Sequence, residues 1–191
     1  MDGGETAAVP TDPNVAAFTI RPERDDDHEA IAAMVAAAFG SQAEADLVDA
    51  IRASPEYLPS LSLVVEVDGE VVGHVMVSLA EVRDGDQRHP IYNLSPLAVE
   101  PSRHGQGIGS ALVRAVIRAA EEMGAPFVVL EGSPQYYGRF GFEPSTDYGI
   151  TIDLPSWAPP EAAQIVLLRD YDTSIRGRVA YPAAFDAVID H

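Results

Sequence analysis

The sequence predicts one α/β domain, and three observations carry that expectation. A strand, a glycine-rich turn and an amphipathic helix follow one another across residues 91–123. Two β-branched runs are joined by Asp68-Gly69, the signature of a hairpin. Helical and strand patterns are interleaved from residue 18 to residue 131, without an internal repeat or a low-complexity tract.

Residues 1–16, rich in Gly, Ala, Pro, Thr and Asp, predict a flexible N-terminal leader, and 17–191 a single domain. Phe18 to Arg21 reads as a short strand. Asp25-Asp26-Asp27 supplies the cap and first-turn acids of a helix that runs to Phe39 and stops at Gly40. Three aspartates also suit a cation, but no histidine or further carboxylate stands beside them at ligand spacing, so capping is the expectation and no metal site is predicted. A second helix spans about Gln42 to Ala53 and ends at Ser54-Pro55. Leu61 to Val67 and Glu70 to Leu79 are the hairpin strands; Asp84-Gly85-Asp86 begins a loop leading to a central strand, Ile91 to Val99, broken by Pro96. Ile108, Leu112, Val116, Ala119 and Met123 then recur at helical spacing. Pro126 to Glu131 is a short, buried strand, and Pro134 to Gly138 a short helix. Ile150 to Ile152 and Gln164 to Arg169 read as strands around the loop Pro155 to Pro160; Val179 to Asp190 adds a strand edge or a small helix.

Composition excludes several classes. With 47% hydrophobic and 22% charged residues among 191, the chain buries a sizeable core. No apolar run approaches the roughly 20 residues that cross a bilayer, and Met1 to Glu5 lacks a basic signal-peptide start, so no membrane partner is expected. Cysteine is absent, which removes disulfides, thiolate metal sites and a cysteine nucleophile, and fits a cytoplasmic location. The formal charge is −18 and all twelve basic residues are arginine, so duplex phosphates would meet a repulsive field and no nucleic-acid partner is expected. A cationic amine would be attracted, but acidity of this size mainly serves solubility or a salty habitat and does not identify a substrate.

The segment Ser102 to Ser110 carries the first chemistry. Glycines at a helix start let an anion approach the backbone where N–H groups are unpaired and the helix dipole is positive. A phosphorylated ligand is therefore predicted here. A P-loop requires Gly-Lys before Ser or Thr, and the chain has no lysine. A dinucleotide fingerprint requires a glycine at position 110, where serine stands, and belongs at the first strand of a domain.

The segment His104-Gly105-Gln106-Gly107-Ile108-Gly109, preceded by Leu97-Ala98-Val99-Glu100-Pro101, resembles the acyl-CoA-binding motif of the GNAT N-acetyltransferase superfamily, Q/R-x-x-G-x-G/A. His104 stands where the family usually carries glutamine or arginine. A second element in the family's order, Tyr136-Tyr137-Gly138-Arg139-Phe140-Gly141-Phe142, resembles its catalytic-tyrosine region. The likeness covers about 18–143 in layout, leaving 144–191 as a C-terminal elaboration. It implies a mixed, mostly antiparallel central sheet with a splayed strand pair, flanked by helices. It also implies acetyl-CoA as co-substrate, with no metal. The backbone from Gln106 to Ser110 would hold the pyrophosphate, with His104 and Gly105 in the same turn and Arg103, Arg114 or Arg139 adding positive charge. Strand parting at Pro96 would free the backbone of Leu97, Ala98 and Val99 to pair with the pantetheine arm, Leu97 N–H being placed to polarise the thioester carbonyl.

Tyr137 matches the family tyrosine that protonates the leaving sulfur; its ordinary pKa of about 10 keeps it protonated at neutral pH. Tyr136, Phe140 and Phe142 are expected in the core. Glu131 resembles the glutamate base of ribosomal-protein N-terminal acetyltransferases, while a solvated strand-end carboxylate and a water chain remain alternatives. His74 is expected to be a satisfied core histidine, and Asn93 to orient a water. The expected activity is acetyl transfer to a primary amine, of a small molecule or a peptide, by direct attack in a ternary complex. The alternative is a non-catalytic acyl-CoA-binding sensor. A homodimer is compatible with either.

Overall fold

The computed structural model describes residues 18–186. The leader expected over 1–16 and the end of the segment expected over 179–190 lie outside the described residues. Strands β1 (Thr19–Pro22), β2 (Ser62–Val67), β3 (Glu70–Asp84) and β4 (Gln87–Val99) form an antiparallel run; β5 (Phe127–Glu131) pairs parallel with β4. Beyond β5 come β8 (Ala163–Leu167) and β6 (Glu143–Pro144), both antiparallel to their neighbours. A branch leaves β3, whose Glu81 to Arg83 pair with β9 (Gly177–Ala180), which in turn pairs with β7 (Ile150–Thr151). The mixed, mostly antiparallel sheet is the predicted one.

Two strands are longer than expected. β3 and β4 continue through Arg83-Asp84 and Gln87-Arg88, and only Gly85 and Asp86 turn between them, so the predicted loop is a tight hairpin. The strand predicted to break at Pro96 is continuous: Val75 pairs with Leu97 and Val77 with Leu94, so Ser95 and Pro96 together oppose Met76 as a bulge. The segment expected over 179–190 supplies β9, from Gly177, and a 3-10 turn at Ala183–Phe185.

Side-chain alternation sends the two sheet faces to different partners. Val75, Val77, Val128 and Leu130 pack against Ile108, Leu112, Val113 and Val116 of α3 (Ile108–Glu122). Each of these helix side chains is at most 2% exposed, and burying one is worth roughly 1.5–3 kcal/mol, so this packing anchors a helix that starts at a glycine turn. The opposite face carries Val64, Met76 and Ala98 against α1 (His28–Phe39) and α2 (Ala43–Arg52). Farther along that face, Ala80, Ile91 and Val129 pack on Ile150, Ile165 and Val179.

The helix expected from Asp25 begins at His28, and the three aspartates form a 3-10 turn ahead of it. Asp27 stands at the N-cap of α1 but makes no side-chain cap bond to it; its buried carboxylate accepts the N–H of Arg24 at 2.7 Å, closing the 3-10 turn, and the guanidinium of Arg21 at 2.6 and 2.9 Å.

A buried polar cluster joins the residue that follows β1 to α2, β2 and β3. The Glu23 carboxylate accepts Arg52 Nε at 2.8 Å and Tyr57 OH at 2.7 Å on one oxygen, and Ser62 Oγ at 2.6 Å and His74 Nε2 at 3.1 Å on the other. Its side chain is 1% exposed. Burial by itself would push the Glu23 carboxyl up; the hydrogen bonds from His74, Arg52, Ser62 and Tyr57 outweigh it and hold the group well below the usual carboxylate range. Burial, only partly offset by Glu23, pushes the His74 imidazole down. His74 is half satisfied, since Nδ1 has no partner among the described residues.

Candidate active site

The site begins where β4 and β5 part. Their pairing is confined to Tyr92 with Val128 and Asn93 with Val129, and from Leu94 onward β4 has no β5 partner. Glu100 N donates to Val72 O at 2.9 Å, which puts Ala98 in the hydrogen-bonded set facing β3. Alternation then turns the N–H and C=O of Leu97 and Val99 toward the gap. The bulge at Ser95-Pro96 restores that alternation after a one-residue offset.

The Val99 carbonyl is already engaged, accepting His104 Nε2 at 3.0 Å. His104 therefore ties its loop back to the end of β4. The turn needs glycine at position 107: its φ is +82°, a left-handed conformation that side chains with a Cβ rarely adopt. Ala111 N bonds to Gly107 O at 3.0 Å and begins the helical ladder, so the N–H groups of Ile108, Gly109 and Ser110 precede it without intrahelical partners. The predicted anion site is thus the first turn of α3, beside the open end of β4.

Positive charge gathers there through Arg139. Its guanidinium stacks on Tyr136 at 4.4 Å from the ring centre, and Nη2 lies 3.3 Å from Ser110 Oγ. Arg114 sits 5.1 Å over the Phe140 ring, and Arg103 pairs with Glu100 at 3.3 Å. Of the three expected cations, Arg139 touches the helix start.

The adjacent tyrosines diverge from α4 (Pro134–Tyr137). Tyr136, expected in the core, is only partly buried; its hydroxyl lies over Gly109, where a Cβ would come within 2.6 Å of the oxygen. Glycine at 109 thus makes room for Tyr136 at the start of α3. The Tyr137 ring lies against Gly132 and Leu130 at the end of β5, 5.7 Å from Phe142, which is buried as expected. Its hydroxyl bonds to no described residue, and burial pushes the phenol well above its ordinary range. It is a protonated donor at neutral pH.

Glu131 ends β5 on the face opposite α3, the face of Phe127 and Val129. It is not simply solvated: Tyr181 OH donates to its Oε1 at 2.8 Å. The residue as a whole is exposed, but partial desolvation of its carboxyl pushes the group up against that hydrogen bond, and Asp153 adds to the rise. Asn93 and Ser78 are cross-strand neighbours on the same face, 2% and 0% exposed, and Asn93 Nδ2 and Ser78 Oγ have no partner among the described residues. Two unpaired polar atoms beside the gap suit a water or a polar ligand. Sequence reasoning missed Ser78 and Tyr181, which carry no motif. Among the described residues no group of three His, Cys, Asp or Glu is placed to hold a metal ion, and no helix is long and apolar enough to cross a membrane.

Comparison with known proteins agrees with this geometry. The Acetyltransferase (GNAT) domain family matches residues 19–145. An uncharacterized N-acetyltransferase of Escherichia coli K12, YjhQ, is 36% identical over 140 residues, covering 72% of this chain and 77% of its own length. The crystal structure of the E. coli GNAT family N-acetyltransferase YhbS in complex with CoA superposes with a TM-score of 0.80 at 31% identity, covering 93% of this chain and 96% of that one. A GNAT family acetyltransferase from Brucella melitensis, in complex with acetyl-CoA, gives 0.72 at 34% identity over 90% and 99%. On the domain match, these relatives and the parted β4–β5 pair, the chain belongs to the GNAT acetyltransferase family, a family of acyltransferases.

Proposed function

We propose that this protein transfers an acetyl group from acetyl-CoA to a primary amine by direct attack within a ternary complex. The observation that carries the reading is the juxtaposition of the unpaired N–H groups of residues 108–110 with the open edge of β4. In this reading those amides and Arg139 hold the pyrophosphate. Gly105 and Gln106 shape the turn, and His104 serves it by clamping the loop on Val99. The pantetheine arm lies along Leu97 to Val99 as an added strand, using Leu97 N–H and C=O and Val99 N–H, because Val99 C=O is taken.

Transfer needs four acts from the protein. It orients the thioester, polarises its carbonyl, takes a proton from the amine and gives one to the departing sulfur. Leu97 N–H, aimed into the gap, suits the oxyanion that forms as the amine nitrogen bonds to the carbonyl carbon. Glu131 Oε2 accepts the amine proton. As the C–S bond breaks, Tyr137, which its raised pKa keeps protonated until then, donates its proton to the departing sulfur. No acyl-enzyme is needed, and the chain has no cysteine to form one.

The test is release of free thiol from acetyl-CoA across a panel of polyamines, amino acids, aminoglycosides and peptide N-termini, with the acetylated product identified by mass. Amine-dependent thiol release with stoichiometric N-acetyl product is the expected result. Tight acetyl-CoA binding without turnover on any class would instead support a sensor.

A further inference from the structure

We propose that Tyr181 is the positioning residue for Glu131, so that β9 and the turn after it complete the active site; this rests on the reading of Glu131 as the base. A glutamate at the end of a strand has a broad terminal torsion and many rotamers. A base within reach of an amine needs one of them. Tyr181 supplies the restraint: its hydroxyl donates to Oε1 at 2.8 Å across fifty residues of sequence. Oε2 has no partner among the described residues, so one oxygen is held and the other is available for a proton.

The tyrosine is itself well fixed. Its ring stacks on Phe185, with centroids 5.1 Å apart and planes at 25°. It packs between the apolar cluster of α1 and α2 and that of β7 and β8. It follows directly on β9, which pairs with both β3 and β7. The other ionisable groups near Glu131 are few: Asp153, which hydrogen-bonds with Arg178, and Tyr137, whose ring lies against Gly132. A phenol donating to the ionised carboxylate favours the charged form, whereas partial desolvation of this otherwise exposed residue disfavours it. Removing it therefore moves the midpoint of Glu131 upward.

The experiment measures kcat/KM against pH for the full chain, with the amine giving the greatest thiol release. Wild type, Tyr181→Phe, Glu131→Gln and the double variant are compared. Tyr181→Phe is expected to lower kcat about tenfold, as loss of a hydrogen bond to a charged group does. It should move the acid limb upward, leave acetyl-CoA affinity unchanged, and cost nothing further in the Glu131→Gln background. A carbon-13 titration of the Glu131 carboxyl reads the same midpoint without turnover. An unmoved midpoint in Tyr181→Phe, whether or not the rate falls, overturns the assignment, as does a loss that adds in full to that of Glu131→Gln. Wild-type rate in Glu131→Gln would instead remove the base itself, so the two failures are separable.

Discussion

Glu23→Ala is expected to lower stability by about 3–5 kcal/mol at neutral pH, the usual cost of breaking a buried charged network by removing one member. The carboxylate is 1% exposed and holds four side chains at once. Without it His74, fully buried, loses its charged acceptor and keeps only Ser62 Oγ beside Nε2, and Arg52 keeps only the exposed Asp49. For a chain of this size the melting midpoint should fall by roughly 10 °C; a shift of less than about 2 °C would show the cluster to be dispensable.

The same cluster makes stability depend on pH with a definite sign. Both groups have folded pKa values below their ordinary ones, 6.5 for His74 and 4.5 for Glu23. A depressed pKa means that the unfolded chain binds the proton more readily. The contribution of His74 is therefore complete above pH 6.5 and lost as pH falls below it, and that of Glu23 is complete above pH 4.5 and lost below. Wild type should weaken in two steps on acidification, and Glu23→Ala should lack the lower one.

Tyr137→Phe is expected to lower kcat about a hundredfold or more while acetyl-CoA affinity changes less than about twofold, the signature of a proton donor used only as the sulfur departs. The phenol is raised by burial and its hydroxyl has no partner among the described residues, so deleting the oxygen breaks no internal hydrogen bond. Tyr136→Phe is the control. Its hydroxyl lies over Gly109, in the first turn of α3 where the pyrophosphate is proposed to bind, and its removal should act on coenzyme affinity more than on kcat. Steady-state rates with calorimetric binding separate the two; full turnover in Tyr137→Phe would take that residue out of the mechanism.

The parts of the fold legible in the sequence are those set by local chemistry. Asp68-Gly69 announced its hairpin because both residues take positive φ, and the turn before α3 was visible because Gly105 and Gly107 do so as well. The Gly85-Asp86 hairpin was hidden because its flanks, Arg83-Asp84 and Gln87-Arg88, are exposed and polar and carry no alternating pattern; β9 and the partner strand hold them extended. Tyr137 and the glycine turn before α3 lie within contiguous motifs. Glu23 does not, since its partners come from 29 to 51 residues away. Tyr181 reaches Glu131 across a gap of the same order. Such pairs are products of topology, and one sequence gives them no periodic trace.

The most direct measurement is a crystal structure of the protein with acetyl-CoA at saturating concentration. The pyrophosphate oxygens should lie about 3 Å from the backbone nitrogens of Ile108, Gly109 and Ser110, with the thioester carbonyl at the same distance from Leu97 N. A coenzyme seated away from the start of α3, or a gap beside Leu97 that stays unfilled, would contradict the account.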